Sequence, residues 1–227
     1  MENVEIMIEA KGVVRSFPLG NGETVEVLHG IDMMVPAGKL TILKGRSGSG
    51  KTTLLNILSA LDPPTKGEVY LQGKEIGQAP EKEREQLRRV DMGFIFQAVA
   101  LIPVMNAYEN VDFGLRLAGM EKNRDERVKE CLELVGLRNR MQHMPGEMSG
   151  GEQQRVAIAR AIAHKPKVIF ADEPTGALDT NTGLAVMHLF KELIEKEGIT
   201  IVMTTHDTNL MELGDVVYEM EDGMLGR

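Results

Sequence analysis

Eight consecutive residues, Gly45-Arg46-Ser47-Gly48-Ser49-Gly50-Lys51-Thr52, have the types and spacing needed to wrap a phosphate chain. Glycines let the backbone curl until successive N–H groups point inward, and a helix beginning here adds the positive end of its dipole. Lys51 can then reach the β- and γ-phosphates, the Thr52 hydroxyl is placed to bind Mg2+, and Thr53 joins the binding residues. Leu40-Thr41-Ile42-Leu43 predicts a buried strand before the loop, and Thr53 to Leu58 an apolar-faced helix after it. Strand, loop and helix in that order predict a site for a nucleoside triphosphate rather than a flexible connecting turn.

Two further stretches carry chemistry. Val168-Ile169-Phe170-Ala171-Asp172-Glu173 is an apolar strand ending in two acids. Beside a phosphate loop, Asp172 can hold Mg2+ through a water and Glu173 can polarise an attacking water as general base. Without the loop, two acids solvating a strand end would be the better reading. Met148-Ser149-Gly150-Gly151-Glu152-Gln153-Gln154-Arg155 makes a second Gly/Ser turn before a helix expected from Gln153 to Ala163. Its N–H groups could hold a γ-phosphate, and a plain helix N-cap fits the same residues equally well.

The elements that must position these groups follow from the pattern. Val4 to Ile8 and Thr24 to Leu28 alternate around a Gly20-Asn21-Gly22 turn, so the stretch from Ile6 to Ile42 is expected to be β-rich. Glu68 to Leu71 resumes as a strand, Glu81 to Arg89 as a charged helix, and Phe94-Ile95-Phe96 as a strand ending in Gln97. Ala107 to Gly119 and Arg124 to Val135 have helical periodicity. Val168 to Ala171 and Thr200 to Thr204 are continuous apolar runs of the parallel-sheet kind, with a helix from Gly183 to Glu197 between them and a closing strand at Val216 to Met220.

Composition narrows the class. At 227 residues, with 42% hydrophobic and 26% charged side chains, the chain suits an ordinary globular protein with one large core or two small ones. A net charge of −8 and 4% aromatics without Trp argue against a nucleic-acid partner. The 15 methionines suit core filling, and the single Cys131 excludes an intrachain disulfide and is expected in the core. No secretory leader is visible, and no apolar run approaches the roughly 18–20 residues of a membrane span. These features predict a cytosolic chain.

At Met148 to Arg155 the sequence resembles the ATP-binding cassette (ABC) ATPases, whose signature reads LSGGQ before a helix. The resemblance covers the chain from about Ile6 to Gly223. It implies an α/β fold: a P-loop NTPase core of mostly parallel sheet flanked by helices, an N-terminal antiparallel β subdomain and an inserted α-helical subdomain. It implies one domain over 1–227, with 1–97 and 164–227 as core and about 98–163 as the helical part. It also implies a head-to-tail dimer, in which the signature of one copy (Ser149, Gly150, Gly151, Glu152) closes on the ATP held by the phosphate loop of the other. Gln97 then matches the family's Q-loop glutamine at the metal, Asp179 in Ala177-Leu178-Asp179 the D-loop, and His206 the switch histidine, catalytic with Glu173 and Lys51. Taken singly, these three would be bland polar residues.

Met148 and Glu152 depart from the usual Leu and Gln; the swap to Met conserves volume and both glycines remain. Phe17 is either the aromatic that stacks on adenine or a core residue. Lys44, a charge at a strand end, has no explanation in the sequence. Ala171 to Asp179, Phe94 to Gln97 and Tyr108-Glu109-Asn110-Val111 look like the subgroup serving macrolide exporters, lipoprotein-releasing complexes and bacitracin-type resistance systems. That subgroup implies a separate, few-span transmembrane permease as partner and a place on the inner face of the cell membrane. Val99 to Val104 is either a wall of the groove receiving the permease or buried in the helical part. Division-complex regulators and soluble repair or translation ATPases are the alternative readings; the substrate and the direction of transport are not legible.

Overall fold

The computed structural model describes residues 5–20 and 22–226. Val4 and Asn21, assigned above to the first strand and its turn, lie outside them. Strands β1 (Ile6–Pro18) and β2 (Thr24–Pro36) pair antiparallel from Ile6↔Pro36 to Pro18↔Thr24. Both run well past the short alternating segments expected from sequence, because the register shifts between Ala10 and Val13 and again between Arg15 and Ser16. Each irregularity restarts the alternation out of phase, which hides one long strand from a period-2 reading.

β3 (Leu40–Lys44) leads into the phosphate loop and helix α1 (Lys51–Leu58). β4 (Lys66–Leu71) then returns to pair antiparallel with β1, and β5 (Lys74–Glu75) closes a sheet of order β2-β1-β4-β5. After α2 (Glu81–Val90) comes β6 (Met92–Ile95), which ends two residues before Gln97 instead of running into it. The Asp172 N–H donates to the Ile95 carbonyl at 2.9 Å as the last rung of that pairing, so Phe96 leaves the sheet.

Residues 96–167 form the crossover to the next strand and contain α3 (Ala107–Leu117), α4 (Arg124–Leu134) and α5 (Gly150–Ile162). β7 (Val168–Ala171), α6 (Thr180–Glu197), β8 (Thr200–Thr205), β9 (Val216–Glu221) and β10 (Met224–Leu225) complete the chain. The second sheet has order β10-β9-β3-β8-β7-β6, parallel except for β10. Helices α5 and α6 begin three residues earlier than the apolar periodicity suggests. Ser149 and Asp179 supply side-chain N-caps, and a capped first turn tolerates glycine and polar residues.

Alternation along the parallel strands sorts their side chains between two cores. Leu40, Ile42, Ile169, Ala171, Ile201 and Met203 face the cluster that includes α3, α4, α5 and α6. Leu43, Val168, Phe170 and Val202 face the cluster shared with α1 and the antiparallel sheet. Strands buried on both faces read as continuous apolar runs for this reason. Cys131 is fully buried on α4, and burial pushes its thiol up to about 12.

Candidate active site

The phosphate loop is held in place from behind. Lys44, at the end of β3, pairs with Glu219 on β9 at 2.8 Å, opposite it in the strand register, which accounts for the charge. A Cβ on Gly45 would lie 2.3 Å from the Met220 carbonyl, and Gly50, at φ 101°, leaves only 3.0 Å to Leu28 Cδ2 and Met220 Cε. Any larger residue at either position would push the loop off β9. Lys51 is 6% exposed, and its ammonium donates to the carbonyls of Gly45 (2.8 Å) and Arg46 (2.9 Å). The buried Ser49 hydroxyl has no hydrogen-bond partner among the described residues. Arg46, Ser47 and Gly48 form the exposed lip. An orphaned buried hydroxyl beside a cation suits an anionic ligand with several oxygens.

Thr52, Asp172, Glu173 and His206 meet above this loop. The Thr52 hydroxyl lies 3.0 and 3.1 Å from the two Asp172 carboxylate oxygens. The Thr204 hydroxyl donates to Asp172 Oδ1 at 2.6 Å and accepts from the Glu173 N–H at 2.9 Å, tying β8 to the end of β7. Glu173 has φ 44°, a left-handed backbone rare for a side chain of this size. His206 Nδ1 lies 3.3 Å from Glu173 Oε2. Glu173 borders two adjoining clefts, one lined by Ser47, Gly48, Gly50, Lys51, Thr52 and Thr53, the other by Gly176, Asp179 and His206 among others. Gln97 is exposed beyond the end of β6; its amide nitrogen lies 3.3 Å, and Glu173 Oε2 3.4 Å, from the point a Gly176 Cβ would occupy. Among the described residues, no group of three His, Cys, Asp or Glu side chains could hold a metal ion. A hydroxyl beside a carboxylate fits a hard cation that takes its remaining ligands from phosphate and water.

The second Gly/Ser turn lines neither cleft. Ser149 and Glu152 form a capping box: Ser149 Oγ accepts from the Glu152 N–H at 3.3 Å, and Glu152 Oε2 accepts from the Ser149 N–H at 2.9 Å. Gly150 has open space around its α-carbon, whereas a Cβ on Gly151 would lie 2.6 Å from Thr182 Cγ2. Met148 is buried in the core of the helical part, as a volume-matched replacement for Leu should be. Asp179 N-caps α6, accepting from Asn181 N–H and Thr182 N–H (both 3.1 Å) and from the Thr182 hydroxyl (2.5 Å). These bonds, led by the Thr182 hydroxyl, hold its carboxyl below the usual range. Phe17 belongs to neither buried cluster; it is half-buried on β1, with the Arg15 guanidinium 4.5 Å over its ring.

Three supporting residues have no role assigned by the sequence reading. Thr204 orients both acids. Gln154 reaches from α5 to the Pro174 carbonyl at 2.8 Å, tethering the second turn's helix to the strand end that carries Glu173. Arg127 on α4 donates to the Ala163 and Ile162 carbonyls (2.9 and 3.1 Å) and so satisfies the C-terminal end of α5. Only Thr204, next to Thr205 at the end of an apolar run, had a local signal; the other two act across long sequence separations.

The ABC transporter family pattern matches residues 28–176, which include the phosphate loop, both acids and the second turn. The chain belongs to the ABC transporter family. It is 48% identical, over 96% of both chains, to a protein of Methanocaldococcus jannaschii named as an uncharacterized ABC transporter ATP-binding protein. A macrolide export ATP-binding/permease protein of Wolinella succinogenes is 46% identical over 96% of this chain and 34% of its own length. Among solved structures, a dimeric ATP-binding cassette in a post-hydrolysis state with ADP and Pi matches with TM-score 0.88, 38% identity and 97% of both chains covered. The protein is thus an ATP-binding cassette and an ATPase subunit of a transporter, with the P-loop fold that the resemblance implied. Among its described residues no helix is long and apolar enough to cross a membrane.

The cassette surface also carries an apolar groove beyond β6, floored by Leu61, Phe94, Phe96 and Leu117 and rimmed by Arg88, Arg89 and Arg160. Phe96 is 43% and Leu117 54% exposed. Val99 to Val104 does not line it. Leu101 packs on the helical core, while Val104 is exposed beside Met105 and Phe113.

Proposed function

We propose that the cassette works as a head-to-tail dimer on the inner face of the cell membrane, driving a few-span permease. The observation that carries this is the separation of the two anion turns. Lys51 and Thr52 line one cleft and His206 the adjoining one, with Glu173 on both and Asp172 hydrogen-bonded to Thr52, while Ser149, Gly150 and Gly151 line neither and would need another copy to reach an ATP. The dimeric cassette of the same fold supports that assembly.

In this reading Lys51 exchanges its two carbonyl partners for β- and γ-phosphate oxygens. Thr52, Asp172 and Gln97 would hold Mg2+, which would supply charge neutralisation for the transferred phosphoryl group. Glu173 accepts a proton from the attacking water, and His206 fixes the Glu173 carboxylate and contacts the γ-phosphate. Ser149 and the Gly150–Gly151 N–H groups of the second copy complete the cradle. Asp179, on the rim beside His206, reports across the dimer while capping α6. Phe17, already able to stack on a guanidinium, offers its ring to adenine. Closure on two ATPs and reopening after hydrolysis move the permease, whose cytoplasmic segment occupies the groove at Phe96 and Leu117.

Replacing Glu173 by Gln tests the catalytic half. Turnover is expected to fall by about 10²–10⁴-fold with ATP binding retained, and the protein to accumulate as an ATP-bound dimer in sedimentation. A variant that stays monomeric and hydrolyses at the parent rate overturns the assignment.

A further inference from the structure

Glu152 places a carboxylate in the very turn that, in the reading above, meets the other copy's ATP. Hydrogen bonding from the Ser149 N–H, with Arg140 and Arg155 nearby, holds its carboxyl below the usual range, so the group is charged at neutral pH. One oxygen is engaged by the Ser149 N–H; the other is paired with Arg140 Nε at 3.2 Å. Arg140 ends the short 3-10 turn Arg138–Arg140 and also contacts His143 Nε2 at 3.0 Å through Nη1. Its neighbour Arg138 is committed to Glu133 at 2.8 Å, which leaves Arg140 as the cation in ion-pair contact with Glu152.

Fold stability is a poor reason for this pair. The Arg140 side chain is 48% exposed, and exposed ion pairs contribute little to folding. A triphosphate approaching the Ser149–Gly151 turn, by contrast, would meet a carboxylate without its ion-pair partner if Arg140 were absent, with Arg155 as the remaining nearby cation.

We propose that Arg140 is a positioning residue of the composite site. Its guanidinium offsets the Glu152 charge and keeps that carboxylate folded back on the Ser149 N–H, so the other copy's γ-phosphate meets N–H donors and not an anion. The inference rests on the split-site reading.

The test uses the Glu173→Gln chain as parent and reads ATP-dependent dimerisation by sedimentation at several protein concentrations. Arg140→Ala is expected to weaken dimerisation about tenfold, equivalent to about 1.4 kcal/mol, with nucleotide binding by the monomer unchanged. The deficit should shrink as salt is raised. Arg140→Lys should retain most of the parent's dimerisation. Adding Glu152→Gln to Arg140→Ala should restore it, because Gln keeps the capping box without the charge. An Arg140→Ala dimer as tight as the parent, or one that Glu152→Gln fails to rescue, overturns the inference while the split site stands. A parent that remains monomeric in ATP overturns the split site, and this inference with it.

Discussion

The molecule carries two glycine-containing turns at helix N-termini, and they are built in opposite ways. The loop from Gly45 to Thr52 is wedged against β9, its lysine buried and its Ser49 hydroxyl unpartnered. The turn from Ser149 to Glu152 is exposed at Ser149 and Gly150 and half-buried at Gly151 and Glu152, closed by its own capping box and joined to Arg140. The first has no room for a side chain at Gly45 or Gly50 and holds one unmet hydroxyl. The second meets its own side-chain needs through the capping box and Arg140. A helix N-terminus alone therefore does not specify a role; what surrounds it does. In the proposed dimer the first turn grips a triphosphate and the second completes the site of the other copy.

Substitutions at the two turns should separate these roles. Lys51→Ala removes charge-assisted contacts to phosphate, each worth about 1.5–3 kcal/mol, so ATP affinity of the monomer should drop by about 10–150-fold in a nucleotide titration. Ser149→Arg should leave that affinity unchanged and abolish ATP-dependent dimerisation. Equal loss of monomer binding in both variants would erase the distinction between the turns.

Gly151→Ala should give a smaller effect. Its new methyl would meet Thr182 Cγ2 at 2.6 Å, and Thr182 is pinned by Asp179. Overpacking of this kind costs about 1–3 kcal/mol, read as a lower denaturant midpoint, whereas Gly150→Ala, in open space, should be close to neutral. A neutral Gly151→Ala would mean that α6 yields freely to the second turn.

Much of this was legible in sequence, and for definite reasons. The phosphate loop, the two acids after β7 and the Ser149 turn are contiguous motifs that a short sequence window contains whole. The doubly buried strands announced themselves as unbroken apolar runs. Strand β1 did not, because its bulges break the alternation. The ends of α5 and α6 were set by side-chain caps and not by apolar period. The tethers Gln154–Pro174 and Arg127–Ala163 join residues 20 and 36 positions apart, so no local window contains both partners. Lys44 made sense only once β9 lay beside β3 and brought Glu219 opposite it.

The most direct measurement of the split site places one cysteine in each turn, on different chains. Cys131 is buried with its thiol pushed up to about 12, so it will not compete for a thiol reagent. One Glu173→Gln chain would carry Ser47→Cys and a tag, another Glu173→Gln chain Gly150→Cys, and the mixture would meet a short bifunctional maleimide. Covalent heterodimer should form with ATP, disappear without it, and be absent from either chain alone. Cross-linking that ignores ATP, or none while both chains bind nucleotide, would contradict a site completed across two copies.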